Sequence, residues 1–104
     1  MALTRDFRET IRERAQSEPA FRQSLLREGL QLINSGDVAT GRAILRNYIN
    51  ATIGFPKLAR ATKIPSPSLQ RMFGPSGNPN MQNFFGVIAA LQKAEGVSIE
   101  LQVR

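Results

Sequence analysis

Seven basic side chains lie in a long stretch of the chain that contains no acidic residue. The stretch runs from Val38 to Ala94 in a chain of 104 residues with a net charge of +6. Acidic and basic residues balance over residues 1–37, so the excess positive charge belongs to the middle of the chain. This distribution favours an anionic partner for the stretch, and a merely solvated basic surface is the alternative. The seven cations are Arg42, Arg46, Lys57, Arg60, Lys63, Arg71 and Lys93.

The residue types that are missing disfavour most catalytic and metal-binding chemistry. The chain has no histidine, cysteine or tryptophan, which removes disulfides, thiol nucleophiles, histidine general bases and zinc-finger ligands. The N-terminal carboxylates alternate with arginines, a pattern typical of an ion-paired surface. No apolar run approaches the roughly 20 residues that cross a bilayer, and the N-terminal residues do not resemble a secretory signal. We therefore expect a cytoplasmic protein that is not an enzyme, needs no cofactor or metal and has no membrane partner.

Two helices are predicted before residue 37. The first covers residues 4–16, and the second covers residues 18–34, with Ser17 as its cap and Pro19 near its start. Gly36 ends the second helix, because glycine accepts the left-handed conformation beyond a helix C-terminus. The apolar stripe of the first helix is interpreted as core, with a contact to a partner protein as the alternative. The apolar positions are Leu3, Phe7, Ile11 and Ala15 in the first helix, and Phe21, Leu25, Leu26, Leu30 or Leu32, and Ile33 in the second.

Two longer helices are predicted farther along the chain. Asp37 is placed to cap a helix from Val38 to about Thr52, in which Gly41 marks a close helix crossing. A last helix spans about Asn80 to Ala94 and ends at Gly96. Their apolar faces are assigned to Val38, Ile44, Leu45, Tyr48 and Ile49, and to Phe84, Phe85, Val87, Ile88 and Leu91.

The segment from Ile53 to Phe73 predicts two short helices joined by a tight turn. The first follows Gly54, the turn covers residues 62–65, and the second begins at Ser66 or Pro67. This pairing is typical of a helix-turn-helix, although two helices of an ordinary small bundle would show the same periodicity. In a helix-turn-helix, the N-terminal residues of the second helix meet base edges, and flanking cations contact phosphates.

The second short helix supplies the candidate DNA-reading residues. Arg71 and Gln70 are the candidates for base contacts, since arginine pairs with guanine and glutamine with adenine. The serine hydroxyls are suited to phosphate. All five candidates at this helix are Ser66, Pro67, Ser68, Gln70 and Arg71. The sequence-independent phosphate contacts are assigned to Lys57, Arg60 and Lys63.

The C-terminal tail alternates apolar and polar residues without interruption, which predicts a half-buried strand. The rest of the chain is predicted to be helical, so the strand is expected to pair with a second copy or with another protein. Pairing in the homodimer is the favoured interpretation, and pairing with a partner protein is the alternative. The inward-facing strand residues are Val97, Ile99, Leu101 and Val103.

Three runs of the sequence resemble a known family. The run LARATKIPSPSL at 58–69 resembles the Leu-Ala-x-x-x-Gly-Ile/Val core of phage-repressor-like (Xre/Cro) helix-turn-helix domains. The runs RNYINATIGF at 46–55 and LQRMFGPSGNP at 69–79 are similar to HigA-like addiction-module antidote proteins, the antitoxins of type II toxin–antitoxin operons. The resemblance covers about residues 37–97 and is looser in the N-terminal helices.

This resemblance implies a lambda-repressor-like, dimeric protein that binds the operator upstream of its own gene. It also implies neutralisation of a co-encoded toxin of the RelE/HigB kind, a small mRNA-cleaving ribonuclease. By position, Lys57 falls on the helix before the recognition helix, and Asn78 and Asn80 fall on a loop that approaches the DNA backbone. Lys63 stands where the motif has its turn glycine, so it must accept a left-handed conformation or a different turn.

The predicted architecture is all-α, a helix-turn-helix bundle of about five to six helices with one C-terminal β-strand. Residues 1–36 are expected to form a helical extension, 37–96 the DNA-binding domain and 97–104 the strand, all within one compact domain. The predicted function is sequence-specific transcriptional regulation by a homodimeric, self-repressing antitoxin. A protein–protein adaptor with the same fold and no specific DNA binding is the alternative.

Overall fold

Six α-helices account for the secondary structure in the part of the chain that the structure describes. The computed structural model describes residues 5–104 and, among these, all side chains except those of residues 5, 6 and 8. Leu3, which begins the predicted N-terminal stripe, lies outside the described residues. The helices are α1 (Arg5–Ser17), α2 (Pro19–Asn34), α3 (Val38–Ala51), α4 (Phe55–Thr62), α5 (Ser66–Met72) and α6 (Met81–Glu95). The predicted helical bundle is confirmed for these residues, and none of the six helices is long and apolar enough to cross a membrane.

The helix ends follow the local sequence signals, with one exception. Asp37 caps α3 by accepting a hydrogen bond from the Thr40 backbone N–H at 3.3 Å. Gly96 ends α6 as predicted. The prediction that Ser17 caps α2 is wrong. Ser17 is the last residue of α1, and its hydroxyl donates back to the Glu13 carbonyl at 2.9 Å, a bond that serine commonly forms inside a helix.

Helices α2 and α3 pack most extensively against each other, because two glycines let their backbones approach closely. A Cβ atom at Gly41 would lie 2.6 Å from the Gly29 carbonyl oxygen and 2.6 Å from Cγ1 of Ile33. Both distances are well below van der Waals contact, so this crossing accommodates only glycine without a shift of the helices. The predicted close crossing at Gly41 is confirmed.

A shared core holds the two short helices against the rest of the bundle. The ring centroid of Phe73, just after α5, lies 6.4 Å from that of Phe55 in α4 and 6.3 Å from that of Phe84 in α6. Aromatic pairs at such separations add to the stabilisation from burial. The aliphatic residues fully buried around this row are Leu26, Leu45, Ile49, Leu58, Leu69, Val87 and Leu91.

A buried carboxylate connects several helices. The side chain of Glu95, at the end of α6, is only 3% exposed. Its Oε1 accepts a hydrogen bond from the Tyr48 hydroxyl of α3 at 2.5 Å, and its Oε2 accepts one from Nε of Arg22 in α2 at 2.6 Å. Nη1 of Arg22 also donates to the Ala15 carbonyl of α1 at 3.2 Å. Both carboxylate oxygens therefore have partners, which offsets the cost of burying the charge.

Three residues predicted to face the core are exposed instead. The exposed fractions of Phe7, Val38 and Phe85 are 51%, 47% and 57%, so their assignment to the apolar core faces is wrong. Phe85 directly follows Phe84, which packs on the core, and adjacent residues of a helix point in different directions. Val38 is the first residue of α3. Among the described residues of the N-terminal stripe, only Ala15 is fully buried.

The predicted C-terminal strand does not occur in the described residues. After α6, the Val97 N–H donates to the Gln92 carbonyl at 3.1 Å, and the Ile99 N–H donates to the Gln92 side-chain oxygen at 2.8 Å. Val97 and Ile99 pack half-buried against the core, whereas Leu101 and Val103 are exposed. The alternation of apolar and polar residues in the tail therefore correctly predicted that Val97 and Ile99 face inward. A strand also requires a partner backbone, and here Gln92 supplies the hydrogen bonds instead.

The buried Tyr48 hydroxyl predicts a loss of stability at alkaline pH. Burial raises the pKa of Tyr48 above its ordinary value, and the neighbouring Glu95 raises it further, while Arg22 opposes this without cancelling it. The folded state therefore holds the phenol proton more tightly than the unfolded chain does. Its contribution to the free energy of unfolding is complete below pH 10 and is lost as the pH rises above that value. Tyr48→Phe should abolish this pH dependence and cost about 1–3 kcal/mol at neutral pH, because Glu95 loses a donor.

The single tyrosine makes this prediction directly measurable. The chain contains no tryptophan, so near-ultraviolet absorbance reports the ionisation of Tyr48 alone. We expect phenolate to appear only together with the unfolding seen by circular dichroism. A phenol that titrates at its ordinary pKa in a protein that stays folded would contradict the buried hydrogen bond.

Candidate nucleic-acid interface

A strained turn joins α4 to α5. Three residues, Lys63 to Pro65, separate the two helices. Lys63 has φ 60° and is the only non-glycine residue with positive φ in the described part of the chain. The Thr62 hydroxyl donates to the Leu58 carbonyl at 2.9 Å and accepts the Ile64 N–H at 3.3 Å, which closes the turn. Of the two alternatives that the sequence left open at Lys63, a left-handed conformation or a different turn, the structure has the left-handed conformation, which costs about 1–2 kcal/mol.

The predicted DNA-reading residues lie together at α5. Gln70 and Arg71 are exposed, while the opposite side of this helix is buried against the core. Nε2 of Gln70 donates to Oγ of Ser66 at 3.4 Å, and Nη2 of Arg71 donates to Oγ of Ser68 at 3.2 Å. Both side chains retain further N–H groups, so each can still bind an external acceptor. Pro67, in the first turn, is also exposed.

The predicted phosphate contacts of α4 and the turn are exposed but do not all lie together. Lys57, Arg60 and Lys63 form no ion pair within the described residues. Lys57 lines a pocket that also contains Tyr48 and Glu95. Lys57 therefore lines a different part of the surface from Lys63, which lies in the turn before α5.

Arg42 fixes the loop that follows α5. Its guanidinium donates to the carbonyl oxygens of Gly77 and Pro75, the second at 3.1 Å. A Cβ atom at Gly77 would overlap the carbonyl oxygens of Arg71 and Met72, so the loop backbone lies directly on the end of α5. Sequence reasoning missed this role of Arg42 and counted it among the cations for an anionic partner. The acceptors are backbone carbonyls, which every residue has, so the pattern of side chains does not indicate them.

The two loop asparagines predicted to contact DNA have different surroundings. Asn78 is exposed. Asn80 caps α6, since its side-chain oxygen accepts the Asn83 backbone N–H at 2.7 Å. The side-chain oxygen of Asn80 is therefore used within the protein, and only its NH₂ group is left for a partner.

An open groove of about 860 Å³ is lined by α1, α3, the start of α4 and the end of α5. Arg46 and Asn50 line it from the exposed side of α3, and Asn47 is half-buried beside them. Gln70 lines it from α5, and Arg12 from α1. Sequence reasoning missed the two asparagines. The signal that identifies Asn50 is its four-residue spacing from Arg46, which puts both side chains on one face of a helix.

Comparison with family models, with curated proteins and with solved structures finds no match to this chain. Among the side chains that the structure describes, no group of three or more acidic residues is placed to hold a metal ion. The candidate functional residues are therefore those that sequence and geometry bring together around α5.

The left-handed turn predicts that glycine at position 63 is more stable than alanine. Lys63→Gly removes the Cβ atom that opposes positive φ, whereas Lys63→Ala removes the same charge and keeps a Cβ atom. We expect the free energy of unfolding of the glycine variant, measured in urea, to exceed that of the alanine variant by about 1 kcal/mol. An alanine variant as stable as the glycine variant would contradict the left-handed conformation.

Proposed function

We propose that this protein binds double-stranded DNA in a sequence-specific manner and regulates transcription. The observation that carries the proposal is the pair α4 and α5, two short helices joined by a three-residue turn, with Gln70 and Arg71 exposed on the second. No acidic residue lies between Val38 and Ala94 to balance the cations of this stretch. A helix-turn-helix lays its second helix in the major groove, and nearby cations neutralise phosphates.

In this proposal, α5 is the recognition helix. Arg71 reads guanine through O6 and N7, and Gln70 reads adenine through N6 and N7. The hydroxyls of Ser66 and Ser68 are positioned by hydrogen bonds to these two side chains and contact phosphate. Lys63, exposed at the turn, adds a contact to the DNA backbone that carries no sequence information.

We further propose that the protein is a dimeric autorepressor and the antitoxin of a type II system. This narrower function is supported by the resemblance of residues 37–97 to HigA-like antidote proteins. Two copies would place their recognition helices in successive major grooves of a near-palindromic operator. The second partner would be a RelE/HigB-like ribonuclease. Co-expression with a neighbouring toxin gene, followed by purification of a stoichiometric complex, tests this part.

A protein–protein adaptor is the second candidate function, and exposed apolar side chains favour it. Met81 and Phe85 lie one turn apart on α6 and are 76% and 57% exposed. Leu101 and Val103 are exposed in the tail. An adaptor would use such surfaces and would not distinguish DNA sequences, so a preference between duplexes separates the two functions.

Arg71→Ala and Lys57→Ala should impair DNA binding in different ways. Arg71→Ala should cost about 1–3 kcal/mol on the DNA upstream of the gene and relax the preference at one base pair, because it removes a base contact. Lys57→Ala should weaken binding to the upstream duplex and to a scrambled duplex equally, and lower the salt slope by about one. Fluorescence anisotropy with both duplexes at several salt concentrations measures both effects.

Each variant has its own contradicting outcome. An equal loss of affinity on every duplex would assign Arg71 to phosphate rather than to a base. An unchanged salt slope would remove Lys57 from the interface. If the unmodified protein itself does not distinguish the duplexes, sequence reading is wrong and the adaptor function is favoured.

A further inference from the structure

The groove between α1 and α3 extends the surface around α5. Gln70 is common to both, since it lies on the exposed side of α5 and also lines the groove. The groove is open and has a volume of about 860 Å³. Its size and shape fit a segment of an extended ligand better than one enclosed ion.

The polar side chains of the groove are of the types that bind phosphate. Arg12 and Arg46 line it, and neither forms an ion pair with a described residue. Asn50 follows Arg46 by one helical turn, and Asn47 lies beside them. Arginine and asparagine side chains are among the groups that contact phosphate oxygens in protein–DNA complexes. Of the lining residues, all of them described, only Glu9 is acidic, so the groove carries net positive charge.

The floor of the groove lets a backbone approach closely. Ala39 and Ala43 are exposed on the same side of α3 as Arg46, and their short side chains leave room beside it. Arg42 also lines the groove, but its guanidinium is bonded to the carbonyl oxygens of Gly77 and Pro75. Phe55 and Phe73 line the floor from the core and are buried, so they close it without offering a competing polar partner.

We propose that this groove binds the sugar–phosphate backbone of the same duplex that α5 reads, with Arg46 and Arg12 each neutralising one phosphate. The proposal rests on the proposed DNA-binding function, because Gln70 connects the groove to the base-reading residues. It makes α1 and α3 part of the DNA interface. The protein then contacts more of the backbone than the two short helices alone can reach.

Arg46→Ala tests the proposal, with Arg27→Ala as the matched control. Both positions are exposed in helices and both substitutions remove one positive charge, but Arg27 in α2 does not line the groove. We expect Arg46→Ala to weaken binding to the upstream and the scrambled duplex equally, by roughly tenfold, the loss of one charge-assisted contact. The slope of log affinity against log salt should fall by about one. Arg27→Ala should leave this slope unchanged.

A second substitution distinguishes the loss of a phosphate contact from a local distortion of α3 caused by Arg46→Ala. Arg12→Ala, on another helix, should also lower the salt slope by about one, and the double variant should lower it by about two. Alanine favours helix at all three positions, and circular dichroism verifies that each variant is folded.

The outcomes separate this proposal from the proposed function. If the unmodified protein prefers the upstream duplex but Arg46→Ala behaves as Arg27→Ala does, the groove proposal is overturned. Recognition of the DNA sequence by α5 is then still supported. If the protein binds both duplexes equally and Arg46→Ala lowers the salt slope, the groove proposal is supported. Sequence-specific recognition of DNA is then contradicted. A loss confined to one duplex would make Arg46 a base contact and overturn the phosphate assignment. Absence of binding to any duplex would overturn both.

Discussion

Glu95 places a carboxylate in the interior of a small helical protein, and both of its oxygens must find donors there. Tyr48 of α3 supplies one and Arg22 of α2 supplies the other, while Arg22 also bonds to the Ala15 carbonyl of α1. An unpaired buried carboxylate would cost several kcal/mol. The helices α1, α2, α3 and α6 are therefore restricted to arrangements that bring these groups together. The short helices α4 and α5 are held by the arrangement of these four helices.

The geometry of the candidate interface depends on the buried hydrogen bonds of Glu95, because α3 takes part in both. Tyr48 anchors α3 to α6, and Arg42, earlier in the same helix, holds the loop that follows α5. The exposed side of α3 presents Arg46 and Asn50 to the groove. Helix α5 is thus confined by the turn at Lys63, by the core and by the fixed loop. A surface held in this way loses little conformational entropy on binding, which favours affinity for a ligand of matching shape.

Features that depend on neighbouring residues were predictable from the sequence, and features that depend on distant partners were not. Gly41 and Lys63 were identified because a helical glycine and a missing turn glycine are visible locally. The two donors of Glu95 lie 47 and 73 residues away, and no local pattern connects them. The charge distribution located the basic segment, but it did not reveal that Arg42 is used inside the protein. Alternation in the tail indicated buried side chains, whereas a strand depends on a backbone partner elsewhere.

Binding of the unmodified protein to the DNA just upstream of its own gene tests the central claim most directly. The comparison is a scrambled duplex of equal length, with both affinities measured over a range of salt concentrations. Sequence-specific DNA binding predicts that the upstream DNA is bound several decades more tightly, and that log affinity falls steeply with log salt. Equal and weak binding to the two duplexes would contradict it, because the positive charge would then attract DNA without reading its sequence.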